Sequence, residues 1–225
     1  MKILKYTQFS NLSESEDKKS YTFDELSPEA KKNAIDSNRD YAESYDWFDP
    51  IIEGFTEEME EIGVTDIDCY FSGFYSQGDG ACFTGKVNDN KTFLKAIGIN
   101  YTSVGLGNRA PRKFDAALES IADNIYITIE RNGSRGYHHN TIFANVEVDG
   151  DEEIQLDLGL GMIIDINLND VCERIEPTIT DWARENSKRL YKNLEKYHDE
   201  LQSDESIAND LSLSGNEFDE EGNMI

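Results

Sequence analysis

This chain is short of bases, cysteines, histidines and long apolar runs, and each shortage removes a class of function. Its 225 residues carry 21 lysines and arginines against 46 aspartates and glutamates, a formal net charge of −25 with a pI near 4.3. Such a chain is repelled by DNA, RNA and anionic membrane surfaces, so its partners are expected to be neutral or basic. Cys69, Cys82 and Cys172 are odd in number and lack ligand spacing. Cys69 and Cys82 fall near each other if the strands that carry them form a hairpin. With no secretory signal, buried reduced thiols are the expectation. Residues 1–6 are too few and too polar for a signal peptide, and no stretch approaches the roughly 20 apolar residues that cross a bilayer. These features point to a reducing cytoplasm.

The familiar catalytic and ligand-binding patterns are missing too. There is no G-x-S-x-G elbow beside Ser72, Ser76 or Ser134, and the only histidines are His138, His139 and His198. Nothing points to a nucleophilic triad. The adjacent His138 and His139 would point to opposite faces of a strand. No Cys or His pair has zinc spacing, no D-x-[DN]-x-[DN]-G loop is present, and Asp149 to Glu153 reads as a solvated acidic turn. Neither phosphate-cradling glycine pattern occurs, and Asp79 between Gly78 and Gly80 would repel a phosphate. Arg109, Arg112, Lys113, Arg131 and Arg135 make at most a modest basic patch, too little for sequence-specific DNA binding. No catalytic residue, metal or cofactor is expected.

What is present is a folded protein's composition: 38% hydrophobic and 11% aromatic residues, too rich for an acidic disordered chain. The pattern predicts strands over residues 2–9, 67–74, 81–87, 124–131 and 140–148. Helices are predicted from Ser27-Pro28 to about Tyr45, from Asp49-Pro50 to Gly63, over 90–97 and 112–122, and from about Thr178 to Leu201. Ile35, Tyr41, Ala42 and Tyr45 face inward on the first, and Trp182, Leu190, Leu194, Tyr197 and Leu201 on the last. Ser203-Asp204-Glu205 caps a final short helix, and Glu221-Gly222-Asn223 turns a small terminal hairpin. Residues 154–165, with Gly159 and Gly161, read equally as strand or helix. The fold class is α+β, an antiparallel sheet with N-terminal helices and a long C-terminal helix, in one domain over residues 1–225.

Two features carry the functional expectation. The first is acidic crowding. From Asp36 to Asp68 there are twelve acids and one base, Arg39, and from Asp199 onward nine acids and none. Glu43, Asp46, Glu53, Glu57, Glu58, Glu60 and Glu61 form the candidate partner-binding face. Like charges at helical spacing weaken a helix by about 0.2–0.5 kcal/mol per pair, so a chain that keeps them has a use for the face, or simply solvates it. The second is the run FSGFYSQGDGACFTG over residues 71–85. Its candidate loop residues are Tyr75, Ser76, Gln77, Gly78, Asp79 and Gly80, read either as a glycine-shaped hairpin or as a contact loop at its tip.

That run, the acidic Trp-containing stretch before it and the C-terminal portion resemble a family of uncharacterised bacteriophage and prophage proteins. The resemblance spans about residues 20–225. Its other marks are Leu190-Tyr191, Leu194-Glu195 and Tyr197, then Ser203-Asp204-Glu205, and Asn216-Glu217-Phe218 through Glu221-Gly222. It implies a phage-type origin in a host-cell cytoplasm, and an ordered C-terminus where composition alone reads an acidic disordered tail. Some members are labelled antitoxin, yet this chain has neither a basic DNA-binding module nor a detachable tail. The expected function is therefore protein binding. The partner is a host or phage protein with a basic surface, a nucleic-acid-handling or defence protein that the acidic face engages as a DNA mimic. Nucleic acid and membrane are not bound directly, and a second copy of the chain stays open as a partner. Two alternatives stand beside this: an antitoxin-like regulator using apolar contacts, and an enzyme or small-molecule binder built on Ser76, Gln77 and Asp79.

Overall fold

A computed structural model describes residues 19–39, 46–100, 102–106, 114–133, 136–159 and 161–225. The expected first strand, the inward faces of Tyr41, Ala42 and Tyr45, and the candidate Glu43 lie outside the described residues. The chain divides into two compact units, one of Met1–Tyr45 with Asp199–Ile225, the other of Asp46–His198.

In the larger unit, β1 (Val64–Phe71), β2 (Ala81–Val87), β3 (Ile125–Arg131) and β4 (Ile142–Val148) form one antiparallel sheet in chain order. The period of two is visible in burial: Ile125, Ile127 and Ile129 are buried while Tyr126 and Glu130 are exposed. α2 (Asp49–Glu61), α3 (Asn90–Ala96), α4 (Phe114–Ala122) and α5 (Leu168–Leu201) contribute to a single apolar core with this sheet. The Phe83 ring packs edge-on against Phe55 of α2 at 5.1 Å and Trp182 of α5 at 6.2 Å. β5 (Glu153–Gly159) and β6 (Met162–Asn167) form a separate hairpin, which resolves the ambiguity over 154–165 in favour of strands. β4 is an edge strand, and α5 covers its open groups. Thr180 Oγ1 accepts from Ala144 N–H at 2.9 Å, and Arg184 Nε donates to Ile142 O at 3.0 Å.

Several expectations are corrected. α5 begins at Leu168, about ten residues before the predicted start, and Pro177 lies inside it. Burial of Leu168, Val171, Cys172, Ile175 and Ile179 offsets the backbone donor that Pro177 lacks. β1 starts at Val64 and ends at Phe71, with a register shift between Thr65 and Asp68 where Asp66 takes φ +52°. Cys69 pairs with Phe83 and Cys82 with Tyr70, so the two thiols are neighbours in register but lie on opposite faces of the sheet. All three cysteines are free.

In the smaller unit, α1 (Pro28–Ser37) and α6 (Asp204–Leu213) enclose Phe23, Leu26, Ala30, Ala34, Ile207, Leu211 and Phe218. The capping predictions hold: Ser27 Oγ accepts from Ala30 N–H and Ser203 Oγ from Ser206 N–H, each at 3.2 Å. α1 stops at Ser37, short of Tyr45, where Asn38 closes it by donating to Ala34 O at 2.7 Å. At the terminus Phe218 is bridged to both Tyr21 and Met224.

Candidate functional site

The acidic helix α2 is amphipathic. Phe55 and Met59 are buried and Ile51 and Ile62 pack on the core, which turns Glu53, Glu57, Glu60 and Glu61 outward. None of these four carboxylates has a cation partner among the described residues. Glu58 differs from them, because Arg189 of α5 pairs with it and also lies over the Phe55 ring. Asp46 is exposed just before the helix. Glu53, Glu57, Glu60 and Glu61 thus share the exposed side of α2, whereas Glu58 is taken up by Arg189.

The signature run forms the β1–β2 connection, residues 72–80. It closes through Ser72 N–H to Gly80 O at 3.0 Å and Gly80 N–H to Ser72 Oγ at 3.1 Å. Within it Asp79 Oδ2 accepts from Ser76 N–H at 2.7 Å while Asp79 N–H donates to Ser76 O at 3.1 Å. Asp79 thus ties the turn together, and Gly78 supplies φ +102°. Phe74 anchors the loop, with ring centres of His198 at 5.0 Å, Tyr191 at 5.5 Å and Trp47 at 6.1 Å. Burial, then the charges of Glu195 and Asp79, push the Tyr191 hydroxyl above its usual range. Tyr75 is 78% exposed, and Ser76, Gln77 and Gly78 are exposed with it.

Gly80 has a different task. A Cβ there would meet His138 Cα at 2.8 Å, so the glycine admits the backbone of residues 137–138 against the hairpin base. This approach brings Tyr137 onto Tyr70, the rings 5.7 Å apart and 12° from parallel, with Arg131 beside both. His138 and His139 are not on a strand, where they would point to opposite faces. They open a 3-10 turn rather than a strand, and their rings lie 3.9 Å apart. Burial, together with His138, holds His139 down to about 4. Trp47, Arg131 and Tyr137 belong to these clusters but were not singled out as site residues, because they meet only through tertiary packing.

No group of three or more His, Cys, Asp or Glu side chains among the described residues can hold a metal ion. A cleft of about 400 Å³ is lined by Asp89, Asn90, Asp123, Tyr126 and Asp149 among others. Two of its polar groups serve the fold: Asp89 caps α3 through Thr92, and the Asn90 amide nitrogen donates to Ala122 O and Ile125 O. Hydrogen bonds from Thr92 hold the Asp89 carboxyl below its ordinary range.

Residues 47–204 match the model of a family described as a domain of unknown function, DUF8835. The chain belongs to the DUF8835 family. The matched DUF8835 region contains α2, both sheets, the signature connection and α5. No curated protein and no solved structure matches the chain. No helix among the described residues is long and apolar enough to cross a membrane.

Proposed function

We propose that this DUF8835 protein acts by binding another protein that carries a basic, nucleic-acid-handling surface. In this reading it is a phage-type antagonist of a host or defence protein, working in the host cytoplasm. The observation that carries the proposal is the outer face of α2, where Glu53, Glu57, Glu60 and Glu61 stand exposed without counter-charges. The i,i+4 pairs Glu53/Glu57 and Glu57/Glu61 repel one another. A basic partner surface relieves that repulsion, and the net charge of −25 steers it in from a distance.

The test is capture of host proteins on the immobilised chain, followed by titration of each captured partner against DNA in competition. A partner displaced from DNA by the chain fits the proposal. A partner that holds DNA and the chain together contradicts the mimicry. A partner bound equally well at low and high salt points instead to apolar contacts of the antitoxin-like kind. The 72–80 connection supports an enzymatic reading less well, since Asp79 and Ser76 bond each other.

A further inference from the structure

We propose that the sheet end built around Arg131 is a binding site for an oxyanion, the carboxylate or phosphate group of a small molecule. Arg131 closes β3. Its guanidinium carbon lies 4.7 Å from the ring centre of Tyr70 and 5.0 Å from that of Tyr137. Nη1 is shut off from solvent and has no hydrogen-bond partner, while the guanidinium elsewhere bonds the Cys82 thiol and the side chain as a whole is only partly buried. No carboxylate among the described residues pairs with Arg131, whereas Arg39 pairs with Asp36 and Asp204, Arg184 with Asp181 and Arg189 with Glu58. Asp68, two residues before Tyr70 and on the same face, makes no ion pair with it. A half-buried cation without counter-charge is costly, and two aromatic neighbours offset only part of that cost.

The local sequence points the same way. Residues 131–146 contain no Asp or Glu at all, where the chain's average would place about three, and they hold Arg131, Arg135, His138 and His139. The signature run builds the surroundings. Gly80 lets residues 137–138 close over the hairpin base, and Cys82 stands opposite Tyr70 in the register. Burial raises the Cys82 thiol, opposed by the Arg131 charge and by hydrogen bonding with Thr141 and Arg131. The planar guanidinium, fixed by two rings, is preorganised for a two-oxygen acceptor. This site is separate from the acidic face of α2 and does not depend on the protein-binding reading.

The experiment is a nitrogen-15 NMR titration of the full chain with sodium phosphate and, separately, sodium acetate, with sodium chloride at matched ionic strength as the control. The readout is the Arg131 Nε–Hε resonance, with the Gly80 and Thr141 amides as neighbours. A saturable shift with phosphate or acetate that chloride does not reproduce supports the site, and the stronger anion tells a phosphate-bearing from a carboxylate-bearing ligand. Arg131→Lys, checked for fold by circular dichroism, should weaken binding at least roughly tenfold. No saturable shift with either anion, an equal shift with chloride, or undiminished binding by a folded Arg131→Lys overturns the proposal. If Arg131→Lys does not fold, the wild-type titration against chloride decides by itself.

Discussion

Gly80→Ala should destabilise the larger unit far more than Gly73→Ala, although both glycines lie in one loop. At Gly80 the new methyl would meet His138 Cα at 2.8 Å and Tyr137 O at 3.4 Å, and a backbone cannot swing aside as a side-chain tip does. Residues 137–138 must move, which takes Tyr137 off Tyr70. Overpacking of this kind costs about 1–3 kcal/mol. For a chain of this size 2 kcal/mol corresponds to a fall in Tm of about 4–8 °C. At Gly73 the nearest atom is Asp79 Oδ2 at 3.5 Å, an ordinary contact, and φ is not positive. That variant should lie within about 0.5 kcal/mol of the wild type. Urea unfolding followed by circular dichroism measures both. Near-UV dichroism should report the disturbed tyrosines in Gly80→Ala only. Equal stabilities for the two variants, or a Gly73→Ala that loses as much as Gly80→Ala, would refute the assignment of Gly80 to a close backbone approach.

Three further outcomes are expected. Gly222→Ala should strip hydrogen-exchange protection from α1 and α6, because its methyl would lie against the Ala30 carbonyl and φ there is +89°; unchanged protection contradicts this. His139 is neutral in the native state, held to about 4 against an ordinary 6.5 mainly by burial. The unfolded chain therefore binds the extra proton between those values, and stability falls as pH drops from about 6.5 to 4. His139→Gln should flatten that limb of the pH–stability curve, and an identical curve would be evidence against it. Burial pushes the Cys69 thiol up to about 12 and the Cys172 thiol up to about 11. Ellman's reagent at pH 8 should thus react slowly with the native chain and rapidly in denaturant; prompt labelling of native Cys69 would show the thiol to be accessible and ionised.

Much of the fold was legible because its signals are local. Ser27-Pro28 and Ser203 announce helix starts through their own hydroxyls, and Ile125, Ile127 and Ile129 alternate because every second residue of a strand shares a face. The outer face of α2 was legible for the same reason, since Phe55 and Met59 fix which side faces in. What escaped depended on distant partners. The first ten residues of α5 escaped because nothing nearby revealed that Leu168 and Val171 would be buried. Glu58 read like its neighbours until Arg189, far along the chain, was found beside it. The meeting of the two adjacent histidine rings escaped as well, because it rests on the 3-10 turn at His139–Thr141. The role of Gly80 was hidden because the backbone it admits lies more than fifty residues away.

The central claim, protein binding through the charged face of α2, is tested most directly by measuring partner affinity at 50 and 500 mM sodium chloride. The wild type is compared with a chain carrying Glu53→Gln, Glu57→Gln, Glu60→Gln and Glu61→Gln. The wild-type affinity should fall by roughly tenfold or more as salt rises, and the variant should bind weakly at low salt with a much flatter dependence. Equal affinities at both salt concentrations, or a variant that binds as the wild type does, would contradict the claim.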